Sequence, residues 1–293
     1  MTLRAGKPWR SFERRSVHRR AAPAAQERLE PRRRRRRHRA AASRRPPRGH
    51  PGLRPGLRGR RGRGGSAPGR LPDGGEFFTR RLRPGARPID RRPGFAVSPA
   101  DGHILNSGRI EDGTLIQAKG RHFTVADLLK DDAAGAQFAR GSWVTVYLSP
   151  RDYHRVHHPA EGRIVAARHV PGHLWPVNRA AVEHVDQLFC VNERIITHVE
   201  GPLGEVATIM VGATSVGHIT VRYDDGLVTN RGGAGGGRTY ASGLQVARGD
   251  ELGTFHLGST AIVLFADPAV ALEPLDEGVP IRLGTAIARR SGK

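Results

Sequence analysis

Cysteine is almost absent from this 293-residue chain. The single one, Cys190, excludes any intrachain disulfide and fits a reducing compartment. No stretch approaches the roughly 20 consecutive apolar residues that cross a bilayer. The positive charges at the N-terminus are not followed by an apolar core, which is not the pattern of a secretory signal. Lysine is scarce too. After position 73 it occurs only as Lys119, Lys130 and Lys293, none at a hairpin tip, which argues against a biotinyl- or lipoyl-carrier domain. The glycine-rich run GGAGGG, from Gly232 to Gly237, is followed by no phosphate-loop lysine, so it reads as a flexible loop and not as a nucleotide cradle.

Positive charge, by contrast, is abundant but confined. The formal net charge is +22, yet residues 1–70 hold 24 Lys+Arg against 3 Asp+Glu, and the remainder holds 25 against 24. A strongly basic segment, with six consecutive arginines at Arg32–Arg37, precedes a nearly neutral body. Residues 1–72 contain few large apolar side chains to offset the entropy of ordering, so they are expected to be a disordered basic tail. Three readings stand for it: a polybasic arm for anionic lipid or RNA, a solvated tail without a partner, or residues produced by a misplaced start or a frame error in a GC-rich gene. The body, 73–293, is long enough for a sizeable core. With few aromatics and no recognised RNA-binding module, it does not support a basic nucleic-acid-binding protein, and no specific nucleic acid is expected as a partner.

Within the body, short apolar runs are broken by Gly, Pro and Asp. The stretches Gly141–Pro150 and Gly162–Val170 are rich in β-branched residues and read as strands. RIITHV and EVATIMV, separated by EGPLG, read as a hairpin, and HITVRY and TAIVLF as further strands. Thr124 followed by Asp127 predicts the start of a short helix. The expected class is mainly β with a few short helices (α+β), with a barrel- or sandwich-like β core.

Four segments carry chemistry. FAVSPADGHI contains Ser98, Asp101 and Gly102. YLSPRDYHRVHHPAEGRI contains His154, His157 and His158. LFCVNERIITHVEGPLGEVATIMVGATSVGHI contains Asn192-Glu193-Arg194. GDELGTFHLGST ends in Leu257-Gly258-Ser259-Thr260. A serine directly after a glycine faces an unhindered carbonyl and can attack the preceding peptide bond, provided a base takes its proton. A histidine oriented by a carboxylate is a usual base, contributing roughly 10²–10⁴-fold. Taken singly, each residue has a plainer reading. Asp101 in Pro-Ala-Asp-Gly is a turn former. Gly258-Ser259 would be an ordinary turn entering a strand. His154 and His157, three apart, could share a helix face and bind a metal, but Pro150 and Pro159 bracket them and no Cys or carboxylate pattern completes a site, so no metal is expected.

Together and in this order, the four segments resemble the phosphatidylserine decarboxylases, from about residue 76 to 267. The resemblance implies a pyruvoyl-dependent carboxy-lyase made as a proenzyme. Asp101, His157 and Ser259 would form the charge relay for self-cleavage at Gly258-Ser259, giving a β chain, 1–258, and an α chain, 259–293. Ser259 would become the covalent pyruvoyl cofactor and Schiff-base centre, and His154 would be the acid in decarboxylation. The product would be phosphatidylethanolamine. The implied partners are phosphatidylserine in the membrane and the protein's own second chain, as a heterodimer that could itself dimerise. The implied location is the cytoplasmic side of the cell membrane, held peripherally, with Phe77 and Phe78 as contact points or core. Two departures stand out: His158, where the family more often has an apolar residue, and the missing amphipathic segment ahead of residue 76. The alternative within enzymes is a pyruvoyl-dependent decarboxylase of another amine, or an inactive relative.

Overall fold

The structure, a computed structural model, describes residues 74–118, 120–214, 218–230, 235–256 and 259–291. The basic tail, Lys119, residues 231–234, Leu257, Gly258 and Lys293 lie outside the described residues, and the described ones belong to one compact unit. In chain order the elements are α1 (Gly74–Phe78), β1 (Phe95–Val97), β2 (Gly102–Arg109), β3 (Thr114–Ala118), β4 (Arg121–Thr124), α2 (Val125–Leu129), α3 (Asp132–Phe138), β5 (Ser142–Leu148), β6 (Arg155–His157) and β7 (Gly162–Val170). They continue as α4 (Arg179–His184), α5 (Leu188–Val191), β8 (Arg194–Gly201), β9 (Gly204–Val211), β10 (Ile219–Val221), β11 (Gly236–Val246), β12 (Glu251–Phe255), β13 (Ser259–Phe265), β14 (Val270–Leu272), β15 (Pro280–Ile281) and β16 (Ala286–Arg290). The protein is mainly β with short helices, as the composition of its segments implies.

The centre is an eight-stranded antiparallel sheet in the order β11-β7-β8-β9-β13-β5-β2-β15. Strand β13 pairs with β9 on one side and β5 on the other, and all seven of its residues are buried. Continuous apolar sequence such as Ala261–Phe265 is what burial on both faces demands. Directly opposed residues share a face. Met210, Ala261 and Val146 therefore lie on one face, and Val211, Thr260 and Tyr147 on the other.

Different layers cover these two faces. A three-stranded sheet, β10-β12-β6, packs against the Met210 face. The approach is close: a Cβ on Gly253 would lie 3.1 Å from the Met210 sulfur and 2.4 Å from the Thr220 carbonyl oxygen. The opposite face is closed by α2, α3 and α5. There the fully buried Arg194 donates from Nε to the Leu128 carbonyl (2.7 Å), and from its Nη atoms to the carbonyls of Asp127 (2.8 Å), Cys190 (2.7 Å) and Asn192 (2.9 Å). Burial lowers its pKa to about 10, which leaves it charged at neutral pH. The cation thus satisfies carbonyls at the ends of two helices that have no intrahelical partner.

The expected strands fall where the apolar runs do, with local corrections. The hairpin connection is tighter than EGPLG implies, because Glu200 pairs with Glu205 and Gly201 with Gly204, leaving Pro202-Leu203 as the turn. Gly236 and Gly237 open β11 and do not belong to a loop. Thr124 caps α2 through its hydroxyl, which accepts from the Asp127 N–H at 3.0 Å.

Replacing Arg194 by Met removes the donors and strands several buried carbonyls. On an uncut Ser259→Ala background, urea unfolding should show a loss of about 3 kcal/mol or more. An unchanged midpoint would mean the carbonyls find other partners.

Candidate active site

Ser259 is the first residue of β13, opposite Leu148. Its side chain is fully buried and its Oγ has no hydrogen-bond partner among the described residues. Buried hydroxyls are nearly always bonded, so an orphan is a candidate for chemistry. Gly258, the other half of the expected cleavage site, lies outside the described residues. The chain reaches this point along β12, which pairs with β6, so the sequence around His157 runs beside the segment that leads to Ser259.

His157 ends β6 between two supports. Its backbone N–H donates to the Pro99 carbonyl (2.8 Å), in the turn that carries Asp101. On the other side, the His158 N–H donates to the Asp250 carbonyl (2.8 Å) and the Gly249 N–H to the His158 carbonyl (2.9 Å). The imidazole Nδ1 lies 2.8 Å from the Gly249 carbonyl oxygen. A carbonyl only accepts, so Nδ1 carries the proton and Nε2 is left as the basic atom. Nε2 faces the Tyr153 hydroxyl at 3.4 Å. Gly249 holds this position with φ +89°, where a Cβ would meet Ile89 at 2.8 Å. Burial, the largest influence, lowers the His157 pKa; the Gly249 bond and the charges of Glu251 and Asp101 oppose it, and Arg155 adds to it.

Asp101 acts on His157 through its charge. Its direct partners are the Arg87 guanidinium, with Nε at 2.8 Å from Oδ1, and the Leu283 N–H at 2.9 Å. The structure therefore brings Asp101 and His157 into one cluster, but the bond that orients the imidazole comes from Gly249. Among the described residues, neither His157 nor Asp101 is hydrogen-bonded to Ser259 Oγ.

His154 is fully buried. Its Nδ1 donates to the Asp152 carbonyl at 2.9 Å, and its Nε2 has no partner among the described residues. Phe78 of α1 stacks edge-on against it at 4.8 Å, and burial lowers its pKa. The Phe255 N–H donates to the His154 carbonyl at 2.9 Å, so this residue too is tied to the end of β12. The neighbouring His158 is held neutral, its pKa lowered by burial to about 4.

The motif residues outside this cluster build scaffold. Asn192 bridges Trp175 and the Gly212 carbonyl, and Glu193 accepts from His169 Nε2 (2.8 Å) and the Asn230 N–H (3.0 Å). Sequence reasoning missed Tyr153, Arg87 and the Gly249 carbonyl, and named Phe78 only as a contact point or core, without its place against His154. Tyr153 stands inside DYHRVH and Arg87 within the resembling span ahead of FAVSPADGHI, so both were in view without a role; a backbone acceptor leaves no mark in sequence.

The phosphatidylserine decarboxylase family profile matches residues 75–289. A phosphatidylserine decarboxylase proenzyme of Anaeromyxobacter sp. (strain K) is 47% identical over 213 residues, 72% of this chain and 76% of the relative. Those of Myxococcus xanthus (strain DK1622) and Brevibacillus brevis (strain 47 / JCM 6285 / NBRC 100599) are 44% and 40% identical, over 74% and 73% of this chain and 77% and 78% of their own lengths.

The geometry fixes what nitrogen spectroscopy should find. In the Ser259→Ala protein at pH 7, long-range ¹H–¹⁵N correlations should show His157 neutral with its proton on Nδ1, titrating below its ordinary value of 6.5. A proton on Nε2 at pH 7 would contradict the Gly249 bond.

Proposed function

The chain belongs to the phosphatidylserine decarboxylase family, and from that premise we propose that it converts phosphatidylserine to phosphatidylethanolamine and CO₂ through a pyruvoyl group made from its own Ser259. The observation that carries this reading is the buried, unbonded Ser259 hydroxyl at the start of the central strand. A buried position, away from bulk solvent, favours intramolecular attack over hydrolysis.

In maturation, His157 Nε2 takes the Ser259 proton. The resulting alkoxide attacks the Gly258 carbonyl, and the peptide bond becomes an ester with the amine of residue 259 free. Removal of the Cα proton of residue 259 then expels the Gly258 carboxylate, which becomes the C-terminus of the β chain, 1–258. Dehydroalanine remains at 259; water adds, ammonia leaves, and a pyruvoyl group caps the α chain, 259–293. Asp101 stabilises the imidazolium that forms during proton transfer.

The pyruvoyl group supplies an electron sink for decarboxylation of the serine head group, as pyridoxal phosphate does elsewhere. His154 is the residue we assign to hand a proton to the carbon that loses CO₂. Its Nε2 is free of protein partners, and Phe78 shields it from water. Donation requires an imidazole that picks up a proton within the cycle, since burial keeps it neutral at rest.

No helix among the described residues is long and apolar enough to cross a membrane. We assign a peripheral position on the cytoplasmic leaflet, with the exposed Phe77 ring as a contact with lipid. The two chains stay together as a heterodimer.

Intact-mass analysis of the purified full chain should give two products, with a pyruvoyl mass at the N-terminus of residues 259–293, and Ser259→Ala should give one. A cut Ser259→Ala protein would sink the scheme. His154→Gln should still cleave itself yet decarboxylate roughly 10²–10⁴-fold more slowly; loss of cleavage without loss of turnover in pre-cut enzyme would reverse its role.

A further inference from the structure

We propose that Arg87 is a positioning residue for self-cleavage, holding Asp101 at the place from which its charge acts on His157. This rests on the assignment of His157 as the base for Ser259 and extends it by one residue.

The geometry is two-pronged. Arg87 Nε lies 2.8 Å from Asp101 Oδ1 and 3.1 Å from Oδ2, and Nη2 binds Oδ2. The Leu283 N–H occupies a second site on Oδ1 at 2.9 Å, and Arg87 Nη1 is itself held by the Ala86 carbonyl at 2.8 Å. The carboxylate is thus fixed from both the segment after α1 and the loop after β15. Both side chains are largely buried, at 24% and 10% exposure for Arg87 and Asp101, where a bidentate guanidinium pair is most directional. The turn they anchor presents the Pro99 carbonyl that accepts the His157 N–H. A shift of Asp101 therefore moves the base as well as its counter-charge.

The pair also sets the charge that His157 feels. The groups facing His157 are Tyr153 ahead of β6, Arg155 on β6, Glu251 on β12, Asp101 from the turn and the adjoining His158. Arg87 joins them through Asp101 and lies within electrostatic reach of Tyr153. A carboxylate without its counter-ion favours the imidazolium, which cannot act as a base. Arg87 offsets that charge while leaving Asp101 in place to stabilise the imidazolium once the proton moves.

The test is the rate of self-cleavage of the freshly translated full chain, followed on gels across pH 5 to 9. Arg87→Gln should slow cleavage roughly 10- to 100-fold and move the acid limb of the profile to higher pH. Asp101→Asn should move the limb the opposite way. The double variant should be no slower than Asp101→Asn alone, because the two residues act as a unit. Arg87→Lys, which keeps the charge but loses the fork, should hold the limb near wild type and recover part of the rate; it remains informative if the Gln variant does not fold. Wild-type rates in Arg87→Gln would overturn the proposal. So would a slower rate with an unmoved limb and no recovery by Lys, which is the signature of a merely structural pair. Failure of the underlying reading looks different: wild type would stay uncut, or Ser259→Ala would be cut.

Discussion

Everything at this site depends on how β13 is held. It lies in the middle of the eight-stranded sheet, bonded along its length to β5 and β9 and buried on both faces. Ser259 is its first residue, so the proposed scission falls at the entrance to the most constrained strand and not within it. The ladders on either side join β13, which follows the break, to β5 and β9, which precede it. Cutting there removes one covalent link and none of the cross-strand bonds, which is why two chains can remain one folded body.

The second constraint is desolvation. His154, His157 and His158 follow one another along the edge of the small sheet, and burial lowers the pKa of all three. For His157 this suits the proposed role of base, which requires a neutral imidazole at the outset. The Gly249 carbonyl then determines which nitrogen is basic. That frees Asp101 from the tautomer-setting task a carboxylate often has and leaves it a purely electrostatic one, which explains why its lone pairs are committed to Arg87 and Leu283. The orphan hydroxyl of Ser259 and the orphan Nε2 of His154 carry an energetic cost in the uncut chain. The proposed self-cleavage would remove the first of them.

The strands were readable where local pattern and burial agree. Gly162–Val170 and Ala261–Phe265 are apolar, β-branched and bounded by turn residues, and they form β7 and β13. The helix at Thr124 was marked by its cap. By contrast β11, with its exposed glycines and a bulge between Thr239 and Leu244, has no local signature and exists because β7 offers it an edge. The layering of β10-β12-β6 on the main sheet is tertiary and equally silent in sequence. As for the site, Ser259, His157, Asp101 and His154 were named through a resemblance carried by four motifs, since no spacing in sequence shows that residues 101, 157 and 259 share a neighbourhood. What holds His157 and Asp101, a backbone carbonyl for the one and an arginine 14 positions ahead for the other, became visible only once the turn, β6 and β12 lay side by side.

The same burial ties stability to acidity. A histidine whose folded pKa is below its unfolded value favours folding while it is neutral. That contribution is fully present above about 6.5 and is lost as pH falls toward the folded value. Three such residues in succession, with His158 lowered to about 4, mean that acidification below the ordinary histidine range weakens the fold as protons are taken up by the unfolded chain. Protonation of His157 in the folded protein would stop its proposed action as a base in that same range. Base competence and the integrity of the sheet edge that carries it therefore fail together, and a chain folding in acid would have neither the nucleophile activated nor the surrounding strands at full strength.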